Sequence, residues 1–187
     1  MAEKVKLADV RLSFPDLFEA TQYQGQGPFN FRASFLLAPN HPAKAAIDAA
    51  IQRVAKEAWK DKAQAHLAGI LGVGQKCCFL DGNTKAYDGY AGNWALTSTR
   101  DQSKGRPLVL NADKTPLVAA DGKPYAGCYV NATVEIWPQD NKYGRAIRCT
   151  LLGVQFLRDG DSFGGGTPPS PDDFEALAAG ADADSLA

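Results

Sequence analysis

The strictest constraint on the fold is a two-residue alternation that begins at Cys128 and runs to Trp137. A period of two is that of a β-strand with one face in a core and the other face outside it. A second run, residues 145–157, follows a polar segment, so the pattern predicts a long antiparallel hairpin that turns at 138–142. The apolar positions are Cys128, Val130, Ala132, Val134 and Ile136; the aromatic or polar positions are Tyr129, Asn131, Thr133, Glu135 and Trp137.

Other segments add shorter strands and one helix. Alternation predicts strands at 5–12 and 29–37, joined by a Gly- and Gln-rich insert, 21–28, that we interpret as a mobile loop. From Pro42 the apolar residues recur every three or four positions, which predicts a helix over about 42–68, inserted between strands. Short strands are predicted at 76–80, 94–99 and 108–110. Many strands and one main helix favour a mainly β fold, a small closed or nearly closed antiparallel barrel, over a parallel α/β sheet.

Charge is divided unevenly along the 187 residues. Lys and Arg number 20 against 21 Asp and Glu, a formal net charge of −1 that by itself argues against nucleic acid as a partner. Residues 159–187, however, hold seven acids and no Lys or Arg, so 1–158 carry 20 bases against 14 acids. We therefore predict a +6 domain at 1–158 and a −7 tail at 159–187, rich in Gly, Pro, Ala and Asp and disordered.

Motifs for catalysis and for membrane insertion are missing from the sequence. His41 and His66 lie at opposite ends of the predicted helix and cannot share a metal, and the glycine-rich run 69–77 has Gln75 where a phosphate loop has its lysine. We predict no catalytic residue, no metal, no cofactor, no membrane span and no signal peptide, hence a cytoplasmic protein. The four cysteines have no CxxC spacing and are expected to be small buried residues or free thiols.

Aromatic and basic residues are interleaved in two segments, 87–106 and 129–148. Unpaired bases stack on planar side chains while cations follow the phosphates, so this mixture is typical of single-stranded nucleic acid binding without sequence preference. The alternative for Trp94 and Trp137 is a place in the core or at the rim of the barrel. The stacking candidates are Tyr87, Tyr90, Trp94, Tyr129, Trp137 and Tyr143; the phosphate candidates are Arg32, Lys76, Arg100, Lys104, Arg106, Arg145 and Arg148.

The acidic tail suggests a regulatory role. A −7 polyanion tethered by a Gly- and Pro-rich linker stays at high local concentration near a +6 domain. It is expected to compete with DNA for the basic surface, most strongly at low salt. The alternative is a tail that only improves solubility.

The sequence also resembles a known family, the phage-encoded single-stranded-DNA-binding proteins with an OB fold. The matching segments cover nearly the whole chain. They are VRLSF at 10–14, LFE at 17–19, FRASFLL at 31–37, LDG at 80–82 followed by Tyr87, Gly89 and Tyr90, YAGCYVNA at 125–132, GVQ at 153–155, LRDG at 157–160 and DDF at 172–174.

The resemblance implies a five-stranded OB-type barrel that coats single strands during phage replication, recombination and repair in the host cytoplasm. It also implies that an acidic C-terminus, here Asp172, Asp173, Phe174 and Glu175, contacts replication proteins of phage or host. We expect a monomer or weak homodimer. Two rival functions are a β-barrel adaptor for phage or host proteins, with its cations merely solvated, and a nuclease or recombinase.

Overall fold

The computed structural model describes residues 2–163, which form seven strands and two α-helices. Their bounds are β1 (Glu3–Tyr23), β2 (Gln26–Leu37), α1 (Pro42–Trp59), α2 (Ala63–Ala68), β3 (Phe79–Asp81), β4 (Trp94–Asp101), β5 (Leu108–Leu110), β6 (Tyr129–Asn141) and β7 (Gly144–Arg158). A 3₁₀ turn, Lys60–Lys62, separates the two helices. The tail residues from 164 onward, including the four predicted partner contacts at 172–175, lie outside the described residues.

Five of the strands close into a barrel. The ring runs β1, β2, β4, β7, β6 and back to β1. Every pairing in it is antiparallel except the closing one, in which Thr99 of β4 lies beside Thr150 of β7 in parallel. The strands β3 and β5 extend the sheet from β4 and β7. The mainly β, five-stranded OB-type barrel with one main helical segment is thus confirmed.

The core of the barrel follows from the alternation in its strands. Leu12, Phe35, Leu96, Ile136 and Leu151, from the five ring strands, are fully buried inside it. Helix α1 packs on β1 and β6 and buries the apolar stripe that the three-to-four period predicted. At its C-terminal end the indole Nε1 of Trp59 donates to Oδ2 of Asp140 at 2.9 Å, which ties the helix to β6.

The two long hairpins turn more tightly than the sequence predicted. Strand pairing continues to Tyr23 opposite Gln26, so the mobile loop predicted at 21–28 is wrong except for the turn residues Gln24 and Gly25. Both have positive φ, 51° and 71°, which is the backbone that a two-residue turn requires. The turn predicted at 138–142 is also misplaced, because pairing continues to Asn141 opposite Gly144.

The helical segment and the cysteines agree with prediction. Helix begins at Pro42, capped by His41, whose Nδ1 accepts from the amide of Ala43 at 2.9 Å. It ends at Ala68 after an interruption at Lys60, which has a φ of 54°. All four cysteines are free and buried, and burial raises the pKa of the Cys77 and Cys128 thiols to about 11. Such thiols are protonated at neutral pH and serve as apolar packing.

Within residues 2–163, no helix is long and apolar enough to cross a membrane. The same residues contain no cluster of three or more His, Cys, Asp or Glu side chains that could hold a metal ion.

Candidate nucleic-acid interface

One continuous surface of the barrel carries polar, basic and aromatic side chains from four strands. Arg32 of β2 lies beside Thr99 of β4, and Thr99 lies beside Thr150 of β7. The Nε1 of Trp137, on β6, donates to Oγ1 of Thr150 at 3.0 Å and so continues the row. We call this surface the outer face; it comprises Arg32, Thr97, Thr99, Trp137, Arg148 and Thr150.

A hairpin tip stands at each end of the outer face. The β1–β2 tip lies at the end where Asn30 pairs with Asp101, and its rings Tyr23 and Phe29 are exposed, Tyr23 by 66%. The β6–β7 tip lies at the other end, because β7 runs parallel to β4 and begins at Gly144. It carries Tyr143, exposed by 80%, with the Nζ of Lys142 5.1 Å from the ring centroid. Strands β2 and β4 are thus flanked by two exposed aromatic tips.

Basic side chains border this surface on both sides of β4. Arg148 donates to the backbone oxygen of Gln75 at 2.9 Å, which places it beside the exposed Lys76. After β4, the exposed Lys104 and Arg106 lie in a loop that Arg100 holds in place. The Arg100 guanidinium donates to the carbonyl oxygens of Lys104, Gly105 and Leu151, at 2.9, 2.8 and 3.4 Å.

Several predicted phosphate contacts therefore have intrachain partners, among them Arg148, which also donates to Oε1 of Gln139 at 3.2 Å. The Arg100 guanidinium donates to three carbonyl oxygens, so Arg100 acts as a positioning residue for the loop of Lys104 and Arg106. Arg145 forms a 3.5 Å ion pair with Asp140, both side chains being about half exposed. Exposed pairs of this kind are weak, so Arg145 can exchange its partner at little cost.

Three of the predicted stacking rings are not available to a ligand. Tyr90 is 4% exposed and packs with Leu36 and Ala95 in a small second core. Trp94 packs against the main core with its ring centroid 5.1 Å from that of Phe79, beneath the Nζ of Lys44. The Tyr129 ring faces the guanidiniums of Arg11 and Arg158. The ring faces of these residues are therefore engaged within the chain.

The sixth predicted ring, Tyr87, lies next to Phe14 beside the outer face. Their centroids are 4.8 Å apart in an edge-to-face arrangement, and both rings are more than half exposed. They border a groove of about 590 Å³ that Phe163 also lines. The groove adjoins Arg32, because Asp16 in its lining is the β1 partner of Arg32.

Residues 159–163, the first five of the segment predicted as tail, pack on the barrel; we call them the strap. Arg11 donates to the carbonyl oxygen of Asp161 at 2.8 Å, and its Cζ lies 4.2 Å from the ring centroid of Phe163. The amide of Phe163 donates to Ala126 at 3.0 Å. The Cζ of Arg158 lies 4.2 Å from the centroid of Tyr129, and that of Arg11 5.6 Å. The last described residue, Phe163, therefore lies at the groove.

Sequence reasoning missed three exposed rings, Phe14, Tyr23 and Phe29. Tyr23 lies within the segment 21–28 that was interpreted as a loop, and Phe29 directly follows it, so the alternation that predicted the strand at 29–37 did not place the two rings on one hairpin tip. Phe14 is exposed because β1 bulges there, which depends on the register with β2 and has no local signal.

The closed five-strand ring and its aromatic, basic face between two hairpin tips place the chain in the class of oligonucleotide-binding barrels. Residues 3–186 match the family described as the ssDNA-binding protein of Enterobacter phage Enc34. The chain belongs to this family of phage single-stranded-DNA-binding proteins. A family of binding proteins agrees with the prediction that the chain is not an enzyme.

The chain is also similar to individual proteins and solved structures. Protein p50 of Acyrthosiphon pisum secondary endosymbiont phage 1 is 46% identical over 176 residues, 93% of this chain and 94% of the relative. The single-stranded DNA-binding protein of bacteriophage Enc34, solved in complex with ssDNA, is 25% identical with a TM-score of 0.72, covering 86% of this chain and 89% of that one. The bacteriophage T7 protein gp2.5 shares the fold, with a TM-score of 0.58 at 14% identity and coverage of 96% and 100%.

Proposed function

We propose that the chain binds single-stranded DNA, without sequence preference, across the outer face between the two hairpin tips. The observation that supports this most directly is the alignment of Arg32, Trp137 and Arg148 on one open surface flanked by Tyr23 and Tyr143. In OB barrels the second and third ring strands and the two flanking loops form the oligonucleotide site. Here those parts are β2, β4 and the two tips.

The chemistry of this surface suits an unpaired strand. Exposed rings offer faces to any base, and each stacked base contributes about 1–3 kcal/mol. Bases in a duplex are already stacked on one another, so they offer no free face for the exposed rings to stack on. Phosphates would be held by Arg32, Lys76, Lys104, Arg106 and Arg148, with loss of affinity as salt rises.

Tryptophan fluorescence tests this proposal against the adaptor alternative. Trp59, the last residue of α1, is buried and Trp94 packs on the core, whereas Trp137 lies on the outer face. Oligo-dT should quench the wild type and much less the Trp137→Phe variant, with Trp94→Phe as the matched control that retains quenching. An adaptor for proteins would show no quenching in any of the three.

The acidic tail is proposed to compete with DNA for the same surface and, once displaced, to recruit phage or host replication proteins through residues 172–175. The position of Phe163 supports the competition, because the tail begins at a groove that adjoins Arg32. A tethered segment that starts there, with five acids and no Lys or Arg, has a short path to the outer face. Coating of single strands in replication, recombination and repair is the process in which such an exchange would act.

A further inference from the structure

We propose that the groove bordered by Phe14 and Tyr87 is a nucleobase pocket, which receives one base of the DNA strand whose backbone crosses the outer face. This rests on the proposed function and extends it to a subsite on β1, away from the β2–β4 surface that the barrel fold predicts. The groove is lined by Ser13, Phe14, Pro15, Asp16, Ala86, Tyr87, Asp88, Ala126 and Phe163.

Backbone geometry points to a role for Phe14. Phe14 and Pro15 together stand opposite Ala33 alone, a bulge between the pairs Ser13–Ser34 and Asp16–Arg32. The bulge gives Phe14 a φ of 48°, a genuine outlier for a bulky side chain, and it turns the ring outward until 54% of the residue is exposed. A strained position that exposes an aromatic ring is an arrangement typical of ligand sites.

Tyr87 completes an aromatic corner. Its centroid lies 4.8 Å from that of Phe14 and 5.3 Å from that of Tyr90, with interplanar angles of 76° and 67°. Tyr90 is fixed in the second core, so it supports Tyr87 from behind while the Tyr87 residue stays 53% exposed. Two rings at a steep angle present one face and one edge to a planar guest.

The charges of the lining select the base over the phosphate. Asp16 and Asp88 contribute carboxylates, and the described lining contains no Lys or Arg. A phosphate is repelled by such a groove, whereas an uncharged base stacks on its rings. The volume of about 590 Å³ lies within the range of small-molecule clefts.

The groove is continuous with the outer face, which identifies its occupant as part of the same DNA strand. Asp16 of the groove and Arg32 of the outer face are direct partners in the β1–β2 register. The base attached to a phosphate that Arg32 holds would therefore extend from β2 toward β1 and reach the groove. The competing occupant, an apolar segment of another protein, has no such link to the cations of the outer face.

The test uses the full chain with Phe14→Asn and Tyr87→Ala combined. Asparagine tolerates the left-handed backbone at position 14, so the variant removes the ring without adding strain. Affinity for oligo-dT should fall by about five- to 150-fold, the range expected for one stacked base. Affinity for a strand of the same length made of abasic sites should not change, because the pocket binds the base. Val118→Ala, at another exposed apolar residue, is the matched control.

Photocrosslinking separates this inference from the proposed function. Oligo-dT substituted with 5-iodouracil should crosslink to peptides that contain Phe14 or Tyr87 in addition to the outer face. Crosslinks confined to the outer face and tips, with unchanged oligo-dT affinity in the double variant, would overturn the pocket while leaving DNA binding intact. Failure of the wild type to bind any single strand would overturn both.

Discussion

Arginines and aromatic rings are interleaved in two regions of this barrel, and their surroundings give them opposite roles. On the outer face, Arg32 makes one hydrogen bond to the described part of the chain, a long one of 3.4 Å to the Thr21 carbonyl oxygen, and the neighbouring tips expose their rings. In the strap region, Arg11 donates to two carbonyl oxygens, Arg158 pairs with Asp9 at 2.7 Å, and both guanidiniums face Tyr129. The same residue types are available to a ligand in one region and hold the chain together in the other.

The comparison predicts that strap changes alter stability and that outer-face changes alter DNA binding. The largest expected effect is at Gly127, which has a φ of 104°. A Cβ there would overlap the carbonyl oxygen of Asp161. Gly127→Ala should lower the free energy of unfolding by about 3 kcal/mol or more, since backbone strain and displacement of the strap add together. Urea denaturation measures it.

The matched control for that variant is Gly92→Ala. Gly92 also has positive φ, 79°, but a Cβ there would meet no atom within 4 Å. It should cost only the backbone strain of about 1–2 kcal/mol. Equal losses in the two variants would mean that the strap contributes nothing to folding.

The next effect concerns two rings of β6 that the sequence did not distinguish. Trp137→Ala should weaken oligo-dT binding by about 1–3 kcal/mol, because it removes a base platform from the outer face. Tyr129→Ala should leave affinity nearly unchanged while lowering the unfolding free energy, because its ring partners are Arg11 and Arg158. Fluorescence anisotropy with labelled oligo-dT measures the affinity of both variants. An equal loss of affinity in the two would contradict the assignment of different roles to the two regions.

A smaller effect, on the salt dependence of DNA affinity, distinguishes an arginine that contacts phosphate from an arginine with a structural role. Arg32→Gln should reduce the slope of log affinity against log salt by about one, as expected for one lost phosphate contact. Arg158→Gln should leave that slope unchanged, because its guanidinium is paired with Asp9 and stacked on Tyr129. A slope that falls in both variants would place Arg158 in the DNA site.

The smallest effect is expected from the tail. Truncation after Phe163 keeps the strap and removes the remaining acids, so it should tighten oligo-dT binding at low salt and have little effect at high salt. Anisotropy titrations at two salt concentrations measure it. Identical affinities for the full and truncated chains at low salt would refute competition by the tail.

The sequence predicted the architecture because its signals are local. The alternation from Cys128 to Ile136 identifies the inward face of β6 without knowledge of any partner strand. The helical segment at 42–68 could be predicted for the same reason, because its apolar residues recur every three or four positions. The hairpin turns were misplaced because polar residues and Pro138 suggested a loop, whereas pairing across the sheet extends both strands to two-residue tips.

The site was only partly predictable, because exposure depends on contacts between distant residues. Arg32, Trp137 and Arg148 were predicted individually, but the closing pair Thr99–Thr150 is what brings them onto one surface. Tyr90 and Trp94 are residue types that stack on bases, but here they pack against Leu36 and Phe79. Phe14 had no local signal, since its exposure arises from a bulge set by the β1–β2 register.

The central claim is that the outer face binds an unpaired strand, and a comparison of oligo-dT with a duplex of equal length tests it most directly. Affinity should be higher for the single strand at every salt concentration and should fall as salt rises, because only unpaired bases can stack on the exposed rings. Equal or tighter binding of the duplex would contradict the account.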